Sequence, residues 1–178
     1  MTSFFDITST LPWPNAIGKR TAVGPLVGAA ESEAISELAR TTPLILVITA
    51  ATAAAHNLAS ELPFFLSDDR EILLVPDWET LPYDNFSPHE DIVSDRLKAL
   101  SRLPTLKSGV VIVSVTTLMH RLAPRHFIDA GVLSLKTGET LDAEQFVRNL
   151  TRNGYRSVDT VYEHGEFATR GSLLDVFP

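Results

Sequence analysis

The sequence predicts an α/β fold, a parallel sheet with flanking helices, followed by the start of a small α+β domain. Three observations carry this reading. Short continuous apolar runs at Leu44–Ile48, Ile72–Val75 and Val110–Val113 suit strands buried on both faces. Stretches with helical character separate them, which implies right-handed crossovers and parallel pairing. After Pro124 the texture changes to strand, turn and helix signals at closer spacing.

Residues 1–22 read as an irregular lead-in, because Pro12 and Pro14 bracket Trp13. Residues 23–127 form the α/β domain in this reading. Pro43 precedes the first strand, and the alanine-rich residues 50–61 follow it as a helix. Pro76 stops the second strand. The best-marked helix start is Ser87-Pro88-His89-Glu90, where Ser87 caps, Pro88 takes the first helical position and Glu90 completes a capping box. Val93, Leu97 and Leu100 then recur at helical spacing, so this helix runs to about Arg102, before Pro104.

Residues 128–178 read as the first part of the α+β domain. Val132–Leu135 is a strand leading into a turn at Thr137–Glu139, and Asp142 caps a helix carrying Phe146, Val147 and Leu150 that ends near Asn153-Gly154. Tyr155–Tyr162 and Ser172–Phe177 read as further strands, with a polar turn before Arg170. The sequence stops at Pro178 directly after an apolar strand, so a piece of a longer chain is expected.

Composition narrows the function classes. Of 178 residues, 22 are Asp or Glu and 15 Lys or Arg, giving a net charge of −7, which disfavours phosphate contact by the bulk of the chain. Cysteine is absent, which removes disulfides, thiolate metal sites and cysteine nucleophiles. No apolar run reaches the roughly 18 residues of a membrane span. The N-terminus lacks the basic and apolar regions of a signal peptide, so a cytoplasmic location is expected.

Chemistry is sparse. The loop leading into the first helix, Pro25-Leu26-Val27-Gly28-Ala29-Ala30-Glu31-Ser32, can be laid on the phosphate-binding pattern G-x-x-x-x-G-K-[ST]. Pro25 and Ala30 then stand in place of glycines, Glu31 in place of the lysine, and only Ser32 matches. A carboxylate about 4 Å from a phosphate charge is repelled by roughly 4 kcal/mol at an effective dielectric near about 20, enough to abolish ordinary ATP affinity. No cofactor is expected there.

Asp77 to Asp91 holds five acids and His89, dense enough to consider a metal-dependent hydrolase built on Asp84, His89, Glu90 and Asp91. Helix capping and favourable placement at a helix N-terminus account for most of these acids without a ligand. Trp78, Tyr83 and Phe86 are expected to anchor this loop on the sheet edge, with a partner surface as the other reading. His56, His89, His120, His126 and His164 show no paired spacing for a metal, no G-x-S-x-G elbow raises a serine, and no D-E-x-D/H string is present. No catalytic and no metal-binding residue is therefore assigned. Arg170, beside Gly171, is either a protruding donor for a partner's carboxylate or the internal partner of Glu163, Glu166 or Asp175.

Three strings together, DWETLPYDNFSPHEDIVSDRLKAL, VVIVSVTTLMHRL and GYRSVDTVYEHGEFATRGSLLDVFP, resemble the amino-terminal UvrB-homology region of the bacterial transcription-repair coupling factors. The resemblance runs from about Gly24 to Pro178. It implies a helicase-like, P-loop-type α/β domain without nucleotide-binding motifs, followed by a small domain that contacts UvrA, and no enzymatic activity in these residues. Glu31 departs from UvrB, which has a functional glycine-lysine loop. The short Leu81–Pro88 stretch leaves no room for UvrB's DNA-gripping hairpin. The resemblance also implies a UvrA contact at Arg170, with Thr169 and Gly171 as neighbours, and further contacts beyond Pro178. Full-length family members displace stalled RNA polymerase at DNA lesions and recruit UvrA for nucleotide excision repair. They bind double-stranded DNA, use ATP and Mg in an ATP-driven translocase outside this stretch, and imply no membrane partner.

Overall fold

A computed structural model describes residues 11–13, 16–67, 69–81, 83–132 and 135–178. By packing, the chain divides into two compact units. One runs to Val75 and resumes over Thr105–Met119; the other comprises Pro76–Pro104 with His120–Pro178.

In the first unit, α1 (Ala30–Thr41) leads into β1 (Leu44–Thr49), α2 (Thr52–Phe65) and β2 (Glu71–Val75). The sheet is parallel, in the order β1-β3-β2, with β3 (Gly109–Ser114) between the other two. This is the parallel α/β arrangement expected of the apolar runs. β3 is buried along its whole length, as a Val- and Ile-rich central strand should be. Ala39, Ala55, Leu58 and Leu62 of the two helices pack with Ile45, Val110 and Ile112 in one core. The expectation of a strand buried on both faces is corrected for β1: Leu44, Leu46 and Ile48 alternate with these core residues and are exposed, so only one face of this outer strand is covered among the described residues.

The strand entries are held by two features. Arg70 Nη1 donates to the carbonyls of Thr42 (3.3 Å) and Pro43 (2.9 Å) and to Ser108 Oγ (3.0 Å). Gly109 opens β3 at φ +145°, opposite both Leu44 and Glu71, where a Cβ would lie 2.2 Å from the Glu71 carbonyl oxygen. Only glycine fits this approach. The short helix α4 (Val115–Leu118) follows, capped by Ser114 Oγ accepting from the Thr117 amide at 3.2 Å.

In the second unit, α3 (Glu90–Arg102) is shorter at its start than the sequence suggests. Its N-cap is His89, whose Nδ1 accepts from the Asp91 amide at 3.3 Å, so Ser87 is not the cap and Pro88 is not the first helical residue. His89 keeps an extended backbone (ψ 143°), and Glu90 and Asp91 fill the first turn, where carboxylates favour the helix dipole. α5 (Arg125–Gly131), not foreseen from sequence, has the buried Ile128 on its inner face. The strand expected at Val132–Leu135 lies partly outside the described residues; Val132 and Leu135 themselves are not in a strand. α6 (Ala143–Arg152) begins as expected, with Asp142 accepting from the Gln145 amide at 2.9 Å.

A second sheet completes this unit in the order β4-β5-β6. β4 (Arg156–Ser157) pairs parallel with β5 (Glu166–Arg170), and β6 (Leu173–Phe177) pairs antiparallel with β5. Phe146 and Leu150 of α6 pack on Phe167, with Tyr155, Leu174 and Val176 around them. Two expectations are corrected here. The strand read over Tyr155–Tyr162 contracts to two residues, and the polar stretch before Gly171 is itself a strand, β5. Among the described residues no helix is long and apolar enough to cross a membrane.

Candidate functional site

The small sheet positions Arg170. It is the last residue of β5, paired in register with Leu173, and the turn to β6 is closed by Gly171 at φ +61°. That left-handed conformation suits glycine and lets the hairpin reverse tightly. Thr169, Arg170 and Gly171 are all exposed.

The Arg170 guanidinium touches neutral oxygens. Nη2 donates to the Asp159 carbonyl at 2.7 Å and to Thr160 Oγ1 at 3.1 Å. None of the three acids considered from sequence is its partner. Glu163 and Glu166 instead lie 3.3 Å and 3.6 Å from Arg156, and Asp175 stands opposite Ala168 in the hairpin register. The guanidinium is therefore steadied at one nitrogen and pairs with no carboxylate of the described residues. A planar guanidinium can donate two parallel N–H bonds to a two-oxygen acceptor.

Glu166 anchors the other end of β5. Its Oε2 accepts from the amides of Tyr162 (2.9 Å) and Glu163 (3.0 Å). These two backbone bonds, with a smaller contribution from Arg156, hold its carboxyl below the usual carboxylate range. Arg156 Nη2 also reaches Glu90 at 3.4 Å, and His164 Nε2 lies 3.6 Å from Asp91. His164 packs edge-on to Phe177, with ring centroids 4.4 Å apart, and its Nδ1 contacts the Pro178 carbonyl. The first turn of α3 is thereby tied to the small sheet.

The acids suggested for a metal site are dispersed into these contacts. Asp84 accepts from the Leu81 amide at 2.7 Å, Glu90 faces Arg156, and Asp91 stands between His89 (3.4 Å) and His164. Among the described residues no group of three or more acids and histidines could hold a metal ion. The hydrolase reading finds no support in this geometry.

The aromatics of the same loop part company. Trp78 is half-buried, with the Arg96 guanidinium 4.2 Å from its ring centroid. Arg96 itself is 1% exposed; its Nη1 donates to the Pro76 carbonyl, while Nε and Nη2 have no hydrogen-bond partner. Burial lowers its pKa and the nearby Asp77 opposes that shift. Tyr83 and Phe86, expected to anchor the loop, are instead exposed, and nothing in their spacing distinguished them from Trp78.

The loop aligned with a phosphate-binding pattern does not form one. No strand precedes it among the described residues, and the helix has already begun at Ala30, so Glu31 and Ser32 are helical. Ser32 is fully buried and donates to Glu61 Oε2 at 2.9 Å, while Glu31 is exposed. Gly28, at φ +62°, makes the turn before the helix.

The described residues thus form a parallel α/β unit and a second unit whose small sheet carries Arg170 at the end of β5. Residues 133–178 match the family model described as the UvrB interaction domain. The chain is 43% identical over 166 residues to the transcription-repair-coupling factor of Escherichia coli strain K12, covering 93% of this chain and 14% of that protein. The Haemophilus influenzae transcription-repair-coupling factor is also 43% identical, over 88% of the chain and 14% of the relative. That of Mycobacterium bovis is 40% identical over 80% of the chain and 12% of the relative. The chain corresponds to a part of the transcription-repair coupling factors. It spans about one seventh of the length of the curated relatives it matches.

Proposed function

We propose that these residues are a non-enzymatic docking module that brings UvrA to a transcription-repair coupling factor. In this reading, residues 23–127 are a helicase-like scaffold with a degenerate nucleotide loop, and residues 128–178 are the first part of the UvrA-binding domain. Arg170 is the principal contact in this part, flanked by Thr169 and Gly171. The observation that carries the reading is the Arg170 guanidinium, exposed on the segment that matches the UvrB interaction domain and paired with no carboxylate of the described residues. A positive group preorganised by neutral acceptors is ready to meet a partner's carboxylate without first breaking an internal ion pair.

The nucleotide loop supports the non-enzymatic part, since Glu31 occupies the lysine position and Ser32 is buried under Glu61. Displacement of RNA polymerase, DNA translocation and use of ATP and Mg then belong to the rest of a full-length factor. A calorimetric titration with UvrA, run on this chain and on Arg170→Ala, tests the reading. Binding that the variant weakens by roughly 30-fold or more, about 2 kcal/mol, supports docking through β5. Absence of binding by the unaltered chain overturns it.

A further inference from the structure

Between β2 and α3, three apolar side chains of the loop face outward. Leu81 is 74%, Tyr83 102% and Phe86 80% exposed. The loop is nevertheless a built structure. Trp78 is pinned beneath Arg96 at its base, the Asp84 carboxylate accepts from the Leu81 amide at 2.7 Å, and the Asp84 amide donates back to the Leu81 carbonyl at 3.1 Å. Glu79 (φ +56°) and Tyr83 (φ +76°) hold left-handed backbone that non-glycine residues adopt at a cost of about 1 kcal/mol or more each.

We propose that this loop is a second anchor of the docking surface, in which Tyr83 and Phe86 enter an apolar recess on UvrA edged by Lys or Arg. The inference rests on the proposed function and names a further part of the same interface. Charge decides the occupant's chemistry. From Asp77 to Asp91 the chain carries Asp77, Glu79, Asp84, Glu90 and Asp91 and no Lys or Arg. A nucleic-acid backbone would be repelled by such a rim, whereas a basic protein surface is complementary to it. Aromatic rings also receive cationic side chains on their faces.

Continuity assigns the loop to the same partner as Arg170. Both lie in the second compact unit. The loop runs directly into Glu90 and Asp91; Glu90 faces Arg156 on β4, Asp91 faces His164 in the turn before β5, and Arg156 also faces Glu166 at the opposite end of β5 from Arg170. A loop whose shape is already held by its own hydrogen bonds loses little conformational freedom on binding.

The test is a calorimetric titration of UvrA with the unaltered chain, Arg170→Ala, the double variant Tyr83→Gly with Phe86→Ser, and Glu79→Lys. Each protein is also melted, and a labelled single-stranded oligonucleotide is titrated in parallel. The inference expects the double variant to bind about tenfold or more weakly with an unchanged or higher melting temperature, and Glu79→Lys to lower affinity most at low salt. Binding by the double variant within about twofold of the parent, while Arg170→Ala loses it, removes the loop and leaves the proposed function standing. No binding by the unaltered chain overturns both. A fall of several degrees in the double variant's melting temperature makes the rings structural and also overturns the inference. So does oligonucleotide binding that the double variant loses.

Discussion

Arg156 and Glu90 stand 66 residues apart in the chain and meet at 3.4 Å. Arg156 Nη2 is also within 3.3 Å of Glu163 and 3.6 Å of Glu166, so a single guanidinium offsets three carboxylates at the junction of α3 and the small sheet. Exposed pairs contribute little singly, but here removal of the cation leaves the carboxylates facing one another. Arg156→Ala is expected to lower stability by about 1 kcal/mol. It should also raise amide exchange in the first turn of α3, measured by hydrogen exchange with mass detection; unchanged exchange there would show that the pair fixes nothing.

Glu166 makes stability depend on acidity. Its folded-state pKa lies below the ordinary value of 4.5 because two backbone amides and Arg156 favour the carboxylate. A depressed carboxyl contributes stability that is present above the unfolded-state pKa and is lost as pH falls through the folded value. The loss should therefore begin below about pH 4.5. In Glu166→Gln the neutral-pH stability drops and the acid slope flattens. Denaturant melts between neutral pH and pH 3 check this, and an unaltered slope in the variant would contradict it.

Gly109→Ala is expected to be among the most damaging single changes in the first unit. The added methyl meets the Glu71 carbonyl oxygen at 2.2 Å, and φ +145° is poorly accessible to alanine. Both outer strands pair with this residue, so relief requires moving β2 from β3. A loss of about 3 kcal/mol or more is expected, read from thermal or denaturant unfolding. Near-parental stability would show that the strand entries yield easily.

Arg96 separates packing from charge. Arg96→Ala removes the cover over Trp78, the donor to the Pro76 carbonyl and buried volume, and should cost about 2–4 kcal/mol. Arg96→Met keeps much of the volume and deletes two buried donors that have no acceptor, so it should cost distinctly less. Unfolding of both variants decides the matter: equal losses would mean that the charge, not the packing, holds the loop.

The parallel α/β unit was legible because its strands are uniform runs of branched apolar residues, and α6 was legible because Asp142 precedes a well-spaced apolar face. β5 was hidden. It begins with a buried carboxylate, Glu166, whose amide donors and cation come from Tyr162, Glu163 and Arg156, and a window of sequence reads that as a polar turn. The start of α3 was misplaced for a related reason, since Ser87 and Pro88 have the right chemistry for a cap but His89 takes the position. Arg170 was recognisable as a residue type. Its freedom from Glu163 and Glu166 was not, because that depends on Arg156 capturing both in space.

The strand order β1-β3-β2 sets a sequence of events for folding. Among the described residues β1 and β2 do not pair with each other; each is paired with β3. During synthesis neither strand can close a sheet until Gly109–Ser114 has left the ribosome, so two apolar segments wait unpaired while more than thirty intervening residues are added after Val75. Non-local parallel pairing of this kind is slow and leaves sticky intermediates, which makes chaperone dependence and a late, cooperative gain of structure the expected behaviour of the nascent chain.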